Sequence, residues 1–505
     1  MRSLADLVTG SADRRPDTVA LIADDRSLTY GQLEDRVRRV AGALAGIGVT
    51  KGDRVAVLFG TVPEFVEVLH GAWRLGAVVA PLNVMLTPDE LGYVLADSEA
   101  SVVVTDRAFL PSVLAVRDRL ADLHHVVVAR GRSPRRTESY EKLLARAPDP
   151  PPVTVDRDDL ALLAYTAGTT ANPKGAMLTQ GNLLANLDQM SQVPALHEAE
   201  SDVVLLALPL FHIYALNVVL GITLREGATA VLVERFDPVR TLELVERHRV
   251  TVLFGAPPMF AAWLQAAEHR EFDLSSVRLA VSGAAALPAE VLAAFRDRFG
   301  ITIWEGYGLT ETAPALTTTA LGSEGRPDSI GLVLPGVEVR LVDDHGRDVD
   351  EGDPGEIVVR GPNVFSGYWR KPEETESAFR DGWFRTGDVA FRDDDGYLHI
   401  VDRTKDLVIV SGFNVYPREV EEAIASHPAV AECAVIGVPD ERTGEAVKAF
   451  VVPAAGSSLT EEDVLAQCTD RLARFKWPRE IEIVRELPKH VTGKILRRRL
   501  RDAGS

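Results

Sequence analysis

Apolar β-branched runs alternate with helix-patterned segments over two long stretches of this chain, and that alternation points to βα units built around parallel sheets. From Val55 to Leu110, the runs Val78-Val-Ala-Pro81 and Ser101-Val-Val-Val-Thr105 alternate with patterns such as Pro63-Glu-Phe-Val-Glu-Val-Leu-His-Gly-Ala-Trp73. The alternation returns from Val203 to Phe299, where the segments opening at Asp202 and Val250 read as buried strands. Residues 131–155, rich in Pro and Arg, read as an exposed connector. From Gly331 to His399 the strands shorten and turns multiply, predicting a β-rich subdomain. Beyond Asp406 a strand, a helix from Arg418 to Ser426, a strand Glu432–Ile436 and a helix from Thr460 to about Ala473 predict a small α+β domain.

At 505 residues the chain exceeds a single core. Two cysteines, Cys433 and Cys468, cannot form a disulfide framework and read as small buried residues. No Cys/His cluster has zinc spacing. The start is broken by Asp6 and followed by Asp13-Arg-Arg15, so it lacks a signal-peptide core. The longest apolar stretch, Ile213 to Leu224, contains Asn217 and is shorter than the roughly 18 residues of a spanning helix. A reducing cytoplasm is the expected compartment. A net charge of −19 argues against nucleic acid. Eleven Lys/Arg against four Asp/Glu between Arg471 and Ser505 give that tail +7 and leave −26 on the remainder. The tail suits either a solvated helical face or contact with polyanionic ligands.

Three motifs carry chemistry. Tyr165-Thr-Ala-Gly-Thr-Thr-Ala-Asn-Pro-Lys-Gly175 gathers hydroxyls, glycines and a lysine, as a loop folding around phosphates would. It is not a Walker A loop: Gly168 and Gly175 are separated by six residues rather than four, and Ala176 stands where the Walker lysine would be. Tyr307-Gly-Leu-Thr-Glu311 and Pro488-Lys-His-Val-Thr-Gly-Lys494 complete the set. Gly306-Tyr-Gly308 begins like a dinucleotide fingerprint, but Glu311 replaces its last glycine.

With Leu28-Thr-Tyr30, Lys51-Gly-Asp-Arg-Val55, Pro209-Leu-Phe-His212, Ser282-Gly-Ala-Ala285, Gly355-Glu-Ile-Val-Val-Arg-Gly361, Arg385-Thr-Gly-Asp388 and Arg403-Thr-Lys-Asp406, these motifs recur in order from about Tyr30 to Lys494. The chain resembles the acyl-adenylate-forming (AMP-dependent synthetase/ligase) superfamily of acyl-CoA synthetases, nonribosomal adenylation domains and luciferases. The resemblance implies an α/β enzyme with a large N-terminal domain of βα sheets plus a β-rich subdomain (1–402), a hinge (403–406) and a small mobile α+β C-terminal domain (407–505). It implies ATP, Mg²⁺ and CoA as cofactors, with a small-molecule carboxylate as substrate.

Carboxylates are poor electrophiles, so thioester synthesis needs prior activation, and the obstacle is one anion approaching a polyanion. By the resemblance, Lys494 is the cation bridging carboxylate and α-phosphate. Thr166, Gly168, Thr169, Thr170 and Lys174 grip the β- and γ-phosphates, Thr310 bonds the α-phosphate, and Glu311 ligates Mg²⁺. Tyr307 stacks on adenine, with Gly283, Ala284 and Ala285 approaching the ring through their backbone. Asp388 and Arg403 take the ribose hydroxyls. His212 resembles the aromatic gate between the ATP and acyl pockets, and Tyr214, Asn217, Gly283 and Gly308 join it along the acyl pocket. Lys405 is the hinge and Gly412 flanks the CoA channel. The family's phosphate loop commonly carries Ser and Gly where this chain has Ala167 and Ala171, and the Thr-His that commonly follows is Thr179-Gln180.

Phe211-His-Ile-Tyr-Ala-Leu-Asn217 is similar to the pocket segment of 4-coumarate:CoA ligases, whereas Lys405-Asp-Leu-Val-Ile-Val-Ser-Gly-Phe-Asn-Val-Tyr-Pro417 is similar to bacterial fatty-acyl-CoA synthetases. The resemblance therefore implies an aromatic, cinnamate-like acid first and medium-to-long-chain fatty acids next. Two other outcomes stay open within it: transfer to a carrier protein or amine instead of CoA, and ATP-dependent diazotisation, activating nitrite for an aryl amine. A nucleotide-binding protein without catalysis is disfavoured by the charged set Lys174, Glu311, Asp388, Arg403 and Lys494.

Overall fold

The computed structural model describes residues 3–166, 173–323, 325–403, 408–410, 413–415, 417–440, 443–472, 474–489 and 495–503, with the side chains of 402, 403, 409, 413, 414, 444, 470, 498, 502 and 503 set aside. They form two compact units, one of Met1–Pro327, Gly331–Glu338 and Arg360–Phe384, the other of Asp328–Ile330, Val339–Val359 and Arg385–Ser505.

The first unit contains the expected parallel sheets. In a seven-stranded sheet, the strands Arg54–Leu58, Val78–Pro81, Val102–Asp106 and His125–Ala129 run parallel, with Val55 beside both Val79 and Val102. Their β-branched residues are buried on both faces, as in sheets covered by helices. The helices between them start on sequence signals: Pro63 opens Pro63–Arg74, and Thr87 caps Pro88–Asp97 in a capping box with Glu90. The sheet ends in Leu160–Thr166 and an antiparallel partner, Lys174–Thr179.

A second, nine-stranded sheet runs parallel from Val19–Ala23 through Thr229–Leu232, Val203–Leu206, Val252–Gly255 and Leu279–Ser282 to Ile303–Gly308. The helices Pro257–His269 and Ala289–Phe299 pack together through Phe260, Trp263 and Phe295, whose rings meet edge to face at 5.2 and 5.3 Å. The apolar stretch after Ile213 forms a π-helix, Tyr214–Gly221, continued by the α-helix Ile222–Glu226. No helix among the described residues is long and apolar enough to cross a membrane.

Two expectations need correction. The connector at 131–155 contains a short strand, Glu138–Ser139, and a helix, Tyr140–Ala145. Tyr140 is buried and donates to Glu67 at 2.6 Å, while Arg36 donates to Glu67 at 2.8 Å. A buried phenol–carboxylate–guanidinium cluster thus pins a segment whose Pro and Arg content signals solvent. Within the stretch read as β-rich, Pro372–Ala378 is a helix, started by its N-terminal proline.

The second unit includes most of a small sheet, in which the strand Leu398–Arg403 pairs antiparallel with Asp388–Arg392 of the strand Trp383–Arg392. It ends in an α+β body: a long hairpin of Val430–Asp440 and Gly444–Pro453, with Glu480–Ile483 parallel beside it and a smaller hairpin of Val408–Val410 and Phe413–Val415. Thr460 starts the helix Glu461–Arg471 through a capping box with Asp463, and its core includes Val420, Ile424, Val435, Val447, Val464 and Cys468. Both cysteines are free thiols. Burial pushes Cys433 up to about 12 and Cys468 up to about 11, so neither is poised to react.

Candidate active site

The segment expected to hold phosphates spans the end of a hairpin. Thr166 and Lys174 are cross-strand neighbours, followed inward by Tyr165 with Gly175 and Ala164 with Ala176. Residues 167–172, which include Gly168, Thr169 and Thr170, lie outside the described residues. The hairpin is anchored on both sides. Tyr165 donates to Asp97 at 2.8 Å. Across from it, segment 366–369 runs along Lys174–Thr179, with Ser366 N donating to Met177 O, Met177 N to Gly367 O and Trp369 N to Gly175 O, at 2.8 to 3.0 Å. Gln180, where the family commonly has His, is fully buried and accepts from Leu4 N at 2.9 Å, fixing the chain's N-terminal segment.

Thr310 and Glu311 occupy a single 3-10 turn, Thr310–Thr312, after the strand Ile303–Gly308. A turn this short has almost no internal hydrogen bonding, so side chains must fix it. Three asparagines do so. Asn217 donates to Ala313 O at 2.8 Å, Asn186 donates to Ala315 O at 2.8 Å and accepts from Ala315 N, and Asn363 donates to Thr312 O at 2.8 Å. At Gly308 a Cβ would lie 1.9 Å from Pro314 O, so the returning backbone requires glycine there. Asn217, expected along the acyl pocket, is 1% exposed and spends its second amide hydrogen on Leu183 O.

Glu311 is also linked to the phosphate hairpin. Tyr368 donates to Glu311 Oε1 at 2.8 Å, and the Lys174 ammonium lies 5.4 Å from the centre of the Tyr368 ring. Burial first, then the neighbouring Glu311 carboxylate, raises the Tyr368 phenol above its ordinary range, so it stays a proton donor. The sequence reading missed Tyr368; its available signal is the aromatic pair Tyr368-Trp369 after Gly367 in a stretch of turns.

Leu279–Ser282 and Ile303–Gly308 are adjacent parallel strands, Ser282 beside Glu305, so Gly283–Ala285 follow the carboxyl end of one strand, where open α/β sheets bind ligands, while Tyr307 continues the other strand past that end, paired with Thr317. Ala284 has φ 71°, a left-handed conformation that non-glycine residues rarely adopt. Tyr214 lies over this loop: a Cβ on Gly283 would sit 3.1 Å from its ring, and its hydroxyl donates to Val281 O at 3.3 Å. Burial raises the Tyr214 phenol, which therefore stays neutral. His212 precedes the π-helix, its ring 4.6 Å from that of Phe211. π-Helical turns are rare and often occur at functional sites.

In the second unit, Asp388 is 3% exposed and lies directly across from Arg403 in the antiparallel ladder. Glu356 fixes the turn before Asp388 by accepting from Arg385 Nε at 2.9 Å and Gly387 N at 3.3 Å. Lys405, Gly412 and Lys494 lie outside the described residues. Among the described residues no group of three His, Cys, Asp or Glu could hold a metal. The single acidic side chain in the Lys174–Tyr368 cluster, Glu311, suits Mg²⁺, which takes one or two carboxylates and fills its shell with phosphate oxygens and water.

A parallel α/β body whose hairpin at Thr166 and Lys174 stands beside a fixed carboxylate, Glu311, suits a nucleotide-dependent enzyme. Residues 8–369 match the AMP-binding enzyme family and residues 419–494 match the AMP-binding enzyme C-terminal domain. The chain belongs to the AMP-binding enzyme family. It is 42% identical over 493 residues to a feruloyl-CoA synthase of Amycolatopsis, covering 96% of each chain. It is 35% identical to a long-chain-fatty-acid–CoA ligase of Bacillus subtilis, covering 99% of this chain and 94% of that one. Among solved structures, the anthranilate CoA ligase AuaEII in complex with anthranoyl-AMP superposes with a TM-score of 0.89 at 32% identity, covering 99% and 97%. ATP-bound MatB from Rhodopseudomonas palustris gives 0.90 at 36%, covering 100% and 99%.

Proposed function

We propose that this AMP-forming acid–thiol ligase joins an aromatic, hydroxycinnamate-type acid to CoA through an acyl-adenylate. The observation that carries the substrate class is the 42% identity with the feruloyl-CoA synthase over 96% of both chains. The 4-coumarate-ligase-like segment from Phe211 to Asn217 and the neutral, apolar-bodied Tyr214 over Gly283 support it. A medium-to-long-chain fatty acid is the second reading, favoured by the Bacillus ligase. The feruloyl, fatty-acid and anthranilate relatives are all named for CoA, which supports CoA over a carrier protein, an amine or a nitrite–aryl amine pair. A cytoplasmic location accords with two cysteines that stay thiols.

In this reading Thr166 and Lys174, with Gly168, Thr169 and Thr170, hold the β- and γ-phosphates, and Thr310 holds the α-phosphate. Glu311 would hold Mg²⁺, which when bound would supply positive charge against the phosphates. Asp388 and Arg403 take the ribose, Tyr307 and Gly283–Ala285 the adenine. His212 closes the passage between nucleotide and acid. Lys494 brings the two anions together, after which the domain after 402 turns about 403–406, at Lys405, and opens the CoA path at Gly412. A competition assay tests the substrate: with ferulate, 4-coumarate, anthranilate and palmitate at equal concentration plus ATP, Mg²⁺ and CoA, product masses should be dominated by the hydroxycinnamoyl thioesters. A dominant palmitoyl-CoA would overturn the aromatic assignment.

A further inference from the structure

Tyr368 touches both charged groups to which the proposed reaction assigns ATP work, and the chain fixes it there on three sides. Its backbone is bridged to Ala176 in the hairpin, and Gly367 and Trp369 on either side of it bond to Met177 and Gly175. Three residues before Tyr368, Phe365 N donates to Glu311 O at 2.8 Å, and the Phe365 ring packs on that of Tyr368 at 4.9 Å. The phenol can therefore move little relative to either the Lys174 strand or the Glu311 turn. Its hydroxyl reaches Glu311 Oε1 at 2.8 Å and its ring faces the Lys174 ammonium at 5.4 Å.

We propose that Tyr368 is a positioning residue for adenylation: its hydroxyl orients the Glu311 carboxylate for the metal, and its ring holds the Lys174 ammonium at the mouth of the phosphate hairpin. The inference rests on the reading of Glu311 as metal ligand and Lys174 as phosphate cation. A carboxylate on a single 3-10 turn has its backbone fixed by asparagines but needs a donor to fix its side chain, and outer hydrogen bonds of this kind orient metal ligands. The ring offers the lysine an electrostatic resting place that a phosphate outcompetes. The two functions reside in different parts of one side chain, so they can be separated.

Mg²⁺ is titrated at fixed ATP in wild type, Tyr368→Phe, Tyr368→Leu and Glu311→Gln, read out both by calorimetric binding of the metal without acid and by acid-dependent pyrophosphate exchange. Tyr368→Phe keeps the ring and its packing on Phe365; it should raise the half-saturating Mg²⁺ about tenfold and leave the KM for the acid unchanged. Tyr368→Leu should add a rise in the KM for ATP. Glu311→Gln should raise the Mg²⁺ requirement at least as far, and the Tyr368→Phe/Glu311→Gln double variant no further, because both changes act at one carboxylate. A Mg²⁺ curve for Tyr368→Phe that overlays wild type, with Glu311→Gln shifted, overturns the inference and leaves the Glu311 assignment standing. If Glu311→Gln is also unshifted, the metal-ligand reading falls, and the inference with it. Additive shifts in the double variant would mean that Tyr368 acts elsewhere.

Discussion

Glu198 is a buried carboxylate with one oxygen, Oε1, that has no hydrogen-bond partner among the described residues, while Oε2 accepts from the Thr223 hydroxyl at 3.2 Å. Burial, reinforced by the Asp202 and Glu226 carboxylates, pushes it up to about 8 from 4.5. The folded state therefore holds a proton that the unfolded chain releases near 4.5. The stability this contributes is full below the unfolded value and is lost as pH rises toward about 8, at about 1.4 kcal/mol per pH unit within that window. Glu198→Gln, neutral at every pH, should flatten that slope: between pH 6 and 8.5 wild type should lose more melting temperature than the variant. Parallel slopes in the two proteins would show that Glu198 ionises normally in the fold. At this scale Lys174, Glu311 and Asp388 stand out in the sequence because each sits in a motif whose charge has no other local use, and the roles proposed for them rest on those motifs. Tyr368 was not, because its value comes from contacts with residues 57 and 194 positions away in sequence, which no spacing rule encodes.

Among the elements, the βα alternation was legible because parallel strands are buried on both faces and read as continuous β-branched runs. The π-helix Tyr214–Gly221 was not: its composition is that of any buried helix. Asn217 was singled out as a pocket residue by resemblance, while its contacts tie the π-helix to Ala313 O, just after the Thr310–Thr312 turn, and to Leu183 O. Asn217→Ala removes both donors in a dry setting and should destabilise the protein by about 1–3 kcal/mol. Its adenylation rate should also fall, since the turn carrying Thr310 and Glu311 loses one of three asparagine anchors. Urea midpoints and pyrophosphate exchange measure the two effects. A variant as stable as wild type would show that these bonds are replaced by water at no cost. The helix Tyr140–Ala145 teaches the same lesson from the other side, since one buried tyrosine on Glu67 outweighs a solvent-like composition.

For the whole molecule, both the large parallel body and the α+β ending were legible, the first from periodicity and the second from the alternation of strand and helix patterns after Asp406. The proposed division of labour between them makes separable claims. Lys494→Ala should abolish acid-dependent pyrophosphate exchange yet still convert a supplied acyl-adenylate to thioester, because its charge is needed only while two anions converge. Lys405→Pro fixes φ near roughly −65° and restricts Thr404, so it should do the reverse, sparing exchange and slowing thioester formation. Equal slowing of both steps by both variants would remove the case for two working conformations.

The central claim is that a hydroxycinnamate is adenylated before CoA enters. Pyrophosphate–ATP exchange with ferulate in the absence of CoA tests it most directly. The account predicts exchange that requires both ferulate and Mg²⁺, with feruloyl-AMP seen by mass and chased to feruloyl-CoA when CoA is added. No ferulate-dependent exchange from active protein that exchanges with a fatty acid would contradict it.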